Sequence, residues 1–205
     1  MSGDLSSDVW PWADKSDLAS KAEMFETPEW APEAVLDAEV LTPLVIDPCC
    51  GRGVLAEAAK RRGHNVAAFD LHDWGYGLTG IDFLKWRPTV DFMKWPDVDF
   101  TVLMNAPFSL ADEFVRHALE LGARKVVAFQ RFAWWESNER TDFWRDCRPA
   151  RIHVCRSRAS CWRLDIPPEK RKGRGGSTAY AWFVWERGHA ATAALSHLDR
   201  KKEAA

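Results

Sequence analysis

The sequence lacks any apolar run approaching the roughly 20 residues that a membrane-spanning helix needs, and nothing in its 205 residues reads as a span. Its first residues, MSGDLSSDVWPW, are acidic and lack the apolar h-region of a secretory signal, so a cytoplasmic protein is expected. Paired cysteines are missing as well. The five cysteines are odd in number, Cys49 and Cys50 are adjacent, and Cys147, Cys155 and Cys161 accompany His153 without the Cys-x-x-Cys spacing of structural zinc sites. Reduced thiols and no metal are therefore expected. Charge imbalance is small. With 28 Lys and Arg against 30 Asp and Glu, the formal net charge of -2 excludes a polycation that coats nucleic acid indiscriminately. No internal repeat is found.

What is present points to a single globular unit. Hydrophobic residues make up 46% of the chain, and its length suits one α/β domain with a sizeable core. Residues 1–24 read as a lead-in whose Trp10 and Trp12 pack against the domain, 25–186 as the domain, and 187–205 as a polar, alanine-rich tail with helical character. Twelve tryptophans exceed what stacking alone would use, so most are expected in the core, with some left to face bases. Acidic residues crowd the first half, whereas Arg145 to Arg174 is rich in Arg and Lys and predicts one basic face.

The chain is organised around TPLVIDPCCGRGVLAE, from Thr42 to Glu57. Leu44 to Ile46 is an apolar run typical of a strand buried on both faces, Asp47 stands at its end, and Gly51 and Gly53 form a turn into a helix beginning at Val54. Such a strand–turn–helix junction puts helix amides and a bare backbone beside a ligand at the carboxyl edge of an open sheet. The third glycine of a dinucleotide fingerprint is absent. Asn65 to Phe69 reads as the next strand and delivers Asp70 to the same edge, about twenty residues after the glycines, where an acid can hold ribose hydroxyls. Asp99 to Met104 reads as a further buried strand, ending in Asn105-Ala106-Pro107-Phe108. Helices are expected at 32–39, 110–121 and 139–145, and strands at 125–129, 150–155 and 178–186. Thr27 is placed like a cap ahead of the first of these helices, with proline near its start.

Taken together, DPCCGRG resembles the Asp-Pro-x-x-Gly-x-Gly turn of class I S-adenosylmethionine (SAM)-dependent methyltransferases, and NAPF resembles the Asn-Pro-Pro-Tyr/Phe motif of their amino-methylating branch, best known in DNA adenine-N6 enzymes. The resemblance spans about Phe25 to Trp185. It implies an α/β fold: a Rossmann-like class I methyltransferase sheet, mostly parallel with an antiparallel C-terminal strand and helices on both faces. It also implies SAM as cofactor, held by Thr27 and Pro28 of an N-terminal Thr-Pro motif, by Asp47, Pro48, Cys49, Gly51, Gly53 and Asp70, and by Asp82 and Phe83 at the adenine.

By the same resemblance Asn105, Ala106, Pro107 and Phe108 are the catalytic residues. An exocyclic amine has its lone pair delocalised into the ring, and the Asn105 side-chain oxygen with the Ala106 carbonyl would draw it out by accepting the amino hydrogens. Phe108 would stack on a flipped base. Ala106 departs from the family's proline, removing a rigid φ from the loop. Arg131 and Trp134 are candidates for the target-base pocket, and Lys170, Arg171, Lys172 and Arg174 for phosphate contacts from a basic, glycine-rich loop. The implied partner is double-stranded DNA. Small solitary enzymes of this build resemble those of phages and prophages, and the lack of room for a recognition domain implies weak specificity, a homodimer or a separate recognition partner. No Pro-Cys follows the NAPF strand, which argues against cytosine C5 chemistry. RNA guanine N2, protein glutamine and a non-catalytic SAM- or nucleic-acid-binding role stay open as alternatives.

Overall fold

The computed structural model describes residues 23–88, 99–136, 138–171 and 178–201. Its strands are β1 (Phe25–Glu26), β2 (Leu44–Asp47), β3 (Asn65–Ala68), β4 (Phe100–Met104), β5 (Lys125–Arg131), β6 (Arg151–Cys155), β7 (Trp162–Arg163), β8 (Tyr180–Glu186) and β9 (Ala194–Leu198). Its helices are α1 (Trp30–Ala38), α2 (Val54–Arg61), α3 (Ala111–Glu120) and α4 (Thr141–Asp146). Seven strands form one sheet in the order β3-β2-β4-β5-β8-β6-β9, and β1 pairs with β7 separately. Neighbours run parallel from β3 through β5 and again between β6 and β9, while β8 is antiparallel to both β5 and β6.

Strands β4, β5 and β8 are apolar almost residue by residue because helices cover both faces of the sheet. Their alternate side chains divide into two cores. Ile46, Val102, Met104, Val126 and Phe183 pack with Phe114 and Val115 of α3 and Phe143 of α4. Val45, Leu103, Val127, Phe129 and Trp182 pack with Ala31 and Val35 of α1 and Leu55 and Ala59 of α2. Each large side chain buried this way contributes roughly 1.5–3 kcal/mol. Shifting any central strand by one residue would exchange its two sets, so the register is strongly specified.

A charged cluster closes the opposite, amino-terminal edge of the sheet. Just after α1, the buried Glu39 carboxylate accepts from Lys125 Nζ at 2.7 Å and Arg151 Nη2 at 2.9 Å, and His153 Nε2 lies 2.9 Å away. Burial opposes the charge, but the His153, Arg151 and Lys125 hydrogen bonds outweigh it and hold the carboxyl well below its usual range. Such a buried anion is tolerated because its lone pairs are met by donors.

Two expectations are corrected. The stretch 187–205, read as a helical tail, instead supplies β9, which pairs in parallel with β6 from Arg151↔Ala194 to Cys155↔Leu198. An edge strand gains its place from backbone hydrogen bonds, and four of its five residues are exposed, so its sequence carries no apolar alternation to read. Thr27 is not a helix cap. α1 starts at Trp30 and makes no side-chain cap bond; the Thr27 hydroxyl is used elsewhere.

Candidate active site

The carboxyl edge of the sheet gathers three polar residues that are far apart in sequence. Asp47 ends β2, Asp70 lies just past β3, and Asn105 follows β4. They border a cavity of about 410 Å³, whose wall also includes the glycine turn, Leu164 beside that turn, and Ile81, Phe83 and Leu84. That size suits a small organic ligand, and the placement is the usual ligand position of an open α/β sheet.

The turn explains the glycines. Gly51 has φ 52° and Gly53 has φ 84°, in the left-handed region that side-chain-bearing residues avoid. A Cβ at Gly53 would also stand 2.6 Å from the Tyr76 ring. The turn is tied to the neighbouring strand end, since Gly51 N donates to Asp70 Oδ2 and His72 N to Asp70 Oδ1, each at 2.9 Å.

Asp47 is in a different state. It is 1% exposed, and neither of its oxygens has a hydrogen-bond partner among the described residues. The Cys49 and Ala56 amides favour its charge without reaching hydrogen-bond geometry, and burial, followed by the Asp70 charge, pushes its pKa up to about 8. Burial also raises the Asp70 carboxyl, against the His72 and Gly51 amides. The neighbouring thiols are suppressed. Burial and the two carboxyls push Cys49 well up and Cys50 to about 12, so neither is a thiolate nucleophile at neutral pH.

A buried carboxyl without donors among the described residues, beside a second carboxyl, suits a ligand that brings N–H, O–H or positive charge. A nucleoside carrying an ammonium and a sulfonium supplies all of these, and the apolar wall suits a flat base. Asp47, Asp70 and the Gly51 turn fit the polar part of such a cofactor, while Ile81, Phe83 and Leu84 fit the base.

Asn105 is held from outside the sheet. Its Nδ2 donates to the Phe25 carbonyl at 2.8 Å and to Thr27 Oγ1 at 3.0 Å. Thr27 thus borders the cavity but serves Asn105, whereas Pro28 faces a separate charged groove between α1, α2 and Lys201. The Ala106 carbonyl already accepts from Gln130 Nε2 at 2.9 Å, and Ala106 is buried outside the cavity wall. Gln130 escaped the sequence reading. Its only signal was a polar residue at the end of the apolar run Lys125 to Phe129, in line with Asp47 and Asn105 at the sheet edge.

Phe108 does not line the cavity. Its ring centroid is 5.6 Å from that of Phe25 and 4.2 Å from the Arg131 guanidinium carbon, which is itself 5.7 Å from Phe25. These three distances close a tight triangle, so Phe25 and Arg131 crowd the same side of Phe108. Arg131 therefore stands against the NAPF loop, as a stacking partner of Phe108. Trp134 is corrected from pocket residue to core. It is 5% exposed, donates through Nε1 to Asp112 Oδ1 at 2.7 Å, and packs among Phe143, Trp144, Phe183 and Trp185.

The remaining candidates divide. Pro48, Cys49, Asp82, Phe83 and Pro107 border the cavity. Asp82 is also engaged locally, accepting from Leu84 N at 3.1 Å and pairing with Lys85 at 3.0 Å. Lys170 is exposed, but Arg171 is spent on an internal pair, its guanidinium donating to Glu26 at 2.9 and 3.1 Å. Lys172 and Arg174 lie outside the described residues. Among the described residues no helix is long and apolar enough to cross a membrane.

No protein-family model and no curated protein sequence matches the chain. Similarity to solved structures is clear in three dimensions. A predicted O-methyltransferase from Agrobacterium tumefaciens aligns at TM-score 0.51 and 14% identity over 85% of this chain and 86% of its own. The 23S rRNA methyltransferase ErmE aligns at TM-score 0.52 and 10% identity over 80% and 70%. A candidate hemolysin from Lactococcus lactis aligns at 0.52 and 12% over 81% and 91%. The likeness is one of fold: this chain has a Rossmann-like sheet of the kind those methyltransferase structures have. That sheet hosts several functions, so function rests on the site.

Proposed function

We propose that the protein is a SAM-dependent methyltransferase that modifies the exocyclic N6 amine of adenine in double-stranded DNA, with the base flipped out of the helix. The observation that carries this reading is Asn105, held by its NH2 at the carboxyl edge of β4, on the wall of the cavity also lined by Asp47, whose carboxyl has no partner among the described residues. SAM, when bound, supplies a methyl group on a positively charged sulfur.

Asp47 and Asp70 hold the polar part of the cofactor, and the Gly51 turn admits it close to the backbone. Asn105 Oδ1 accepts one amine hydrogen of the adenine and turns the nitrogen lone pair toward the methyl carbon. The Ala106 carbonyl is taken by Gln130 and lies off the cavity, so Asn105 alone meets the amine, while the Gln130 hydrogen bond gives the loop the stiffness that a proline would give. No protein nucleophile is needed, in keeping with the suppressed thiols of Cys49 and Cys50. Exposed Lys170 is the described member of the basic loop that remains to meet phosphate.

The test is incubation with labelled SAM and unmethylated double-stranded DNA, digestion, and mass spectrometry of the nucleosides. N6-methyladenine is expected, falling about 10²–10³-fold in Asn105→Ala while cofactor affinity is little changed. Cofactor binding with no labelled DNA nucleoside would overturn the DNA reading. An RNA arm is run beside it because ErmE, similar in fold, is a 23S rRNA methyltransferase.

A further inference from the structure

The segment 23–27 reaches across the loop after β4 although it is 80 residues away in sequence from Asn105 at Phe25. It touches that loop at four places. The Phe25 carbonyl and the Thr27 hydroxyl accept from Asn105 Nδ2 at 2.8 and 3.0 Å, Ser109 N donates to the Glu23 carboxylate at 2.6 Å, and the Phe25 ring stacks on Phe108. The segment is itself braced. β1 pairs with β7, Leu164 N donates to the Met24 carbonyl at 3.0 Å, and Glu26 accepts from Arg171 Nη1 and Nη2.

The Phe25 contact settles which way the Asn105 amide faces. A carbonyl has no hydrogen to give, so the atom opposite it must be the NH2, and Oδ1 is turned away from the segment. We infer that the Phe25 carbonyl and Thr27 are positioning groups that lock the Asn105 amide with its oxygen toward the acceptor amine. Resting on the amine-methylation reading, this gives the N-terminal strap a role in turnover rather than in holding cofactor. Without the lock the amide can flip by half a turn, and the flipped form offers an NH2 to an amine whose hydrogens need an acceptor. Thr27 contributes the second of two bonds, so losing it weakens the preference without removing it.

The strap is tested with Thr27→Val, which keeps the branched shape and removes the acceptor, and Thr27→Ser, which keeps the hydroxyl. The sequence has only three asparagines, Asn65, Asn105 and Asn138, so asparagine-selective ¹⁵N labelling isolates the Asn105 side-chain amide, assigned by its loss in Asn105→Ala. Thr27→Val should speed hydrogen exchange of that amide about tenfold and lower kcat about tenfold, with KM for SAM unchanged, while Thr27→Ser stays within about twofold of wild type in both. Unchanged exchange in Thr27→Val, or equal losses in the Val and Ser variants, would overturn the lock. Absence of methyl transfer to DNA and RNA by the wild type would sink the methylation reading on which the inference rests, whereas an exchange result alone decides whether Thr27 holds the amide.

Discussion

Replacing Asp47 by Asn isolates the consequence of a buried carboxyl left without donors. Its ordinary pKa of 3.8 is pushed up to about 8 by burial and then by Asp70. The folded protein therefore keeps a proton that the unfolded chain has already released. The associated stability is fully present below pH 3.8 and is lost as pH rises toward about 8, at about 1.4 kcal/mol per unit. Between pH 5 and 7.5 the loss is roughly 3 kcal/mol. Asparagine cannot ionise and has nearly the shape of the neutral acid, so Asp47→Asn should match the wild type only below pH 3.8 and should already exceed it by roughly 1.7 kcal/mol at pH 5. At pH 7.5 it should exceed it by roughly 5 kcal/mol, so the gap grows by roughly 3 kcal/mol, or roughly 6–12 °C in Tm for a chain of this length, between the two pH values. Asp70 titrates in both proteins and largely cancels in the difference. The assay is ligand-free thermal unfolding of both proteins across that pH range. A gap that does not grow with pH would refute the reasoning, because it would mean that Asp47 is solvated or paired. Saturating SAM should then narrow the gap at pH 7.5, since only the wild type has a carboxylate for the ligand's donors to complete.

Gly53→Ala should cost about 2 kcal/mol or more in urea unfolding, combining a φ of 84° with a Cβ 2.6 Å from the Tyr76 ring. Adding Tyr76→Ala should recover part of that loss by removing the contact and leaving the φ strain; no recovery would show that the ring is not the obstacle. Trp134→Ala should lower stability by roughly 3–5 kcal/mol through the aromatic cluster and the lost Asp112 bond, with KM for DNA unchanged in the folded fraction. A raised KM without loss of stability would return Trp134 to the base pocket.

What the sequence made legible was whatever is encoded within a dozen neighbouring residues. Leu44 to Asp47, Asn65 to Ala68 and Phe100 to Met104 were readable as strands because apolar runs bounded by glycine or polar residues have few other uses, and one parallel sheet then puts Asp47, Asp70 and Asn105 on one edge. β9 was not readable, because an edge strand needs no apolar face. Nor were the partners of side chains. Arg171 and Glu26 are 145 residues apart, and a basic loop looks equally suited to phosphate or to an internal carboxylate until the chain is folded. Trp134 shows the same ambiguity, since a tryptophan after a strand suits a base or a core equally well by composition. The motif itself marks the boundary most sharply. NAPF announces an amide at a strand end, yet the NH2 of that amide is taken by a carbonyl at Phe25, and the Ala106 carbonyl beside it is held by Gln130 from the next strand. A motif thus names the groups that act, while their orientation is held by residues whose types are ordinary and whose only distinction is where the fold brings them.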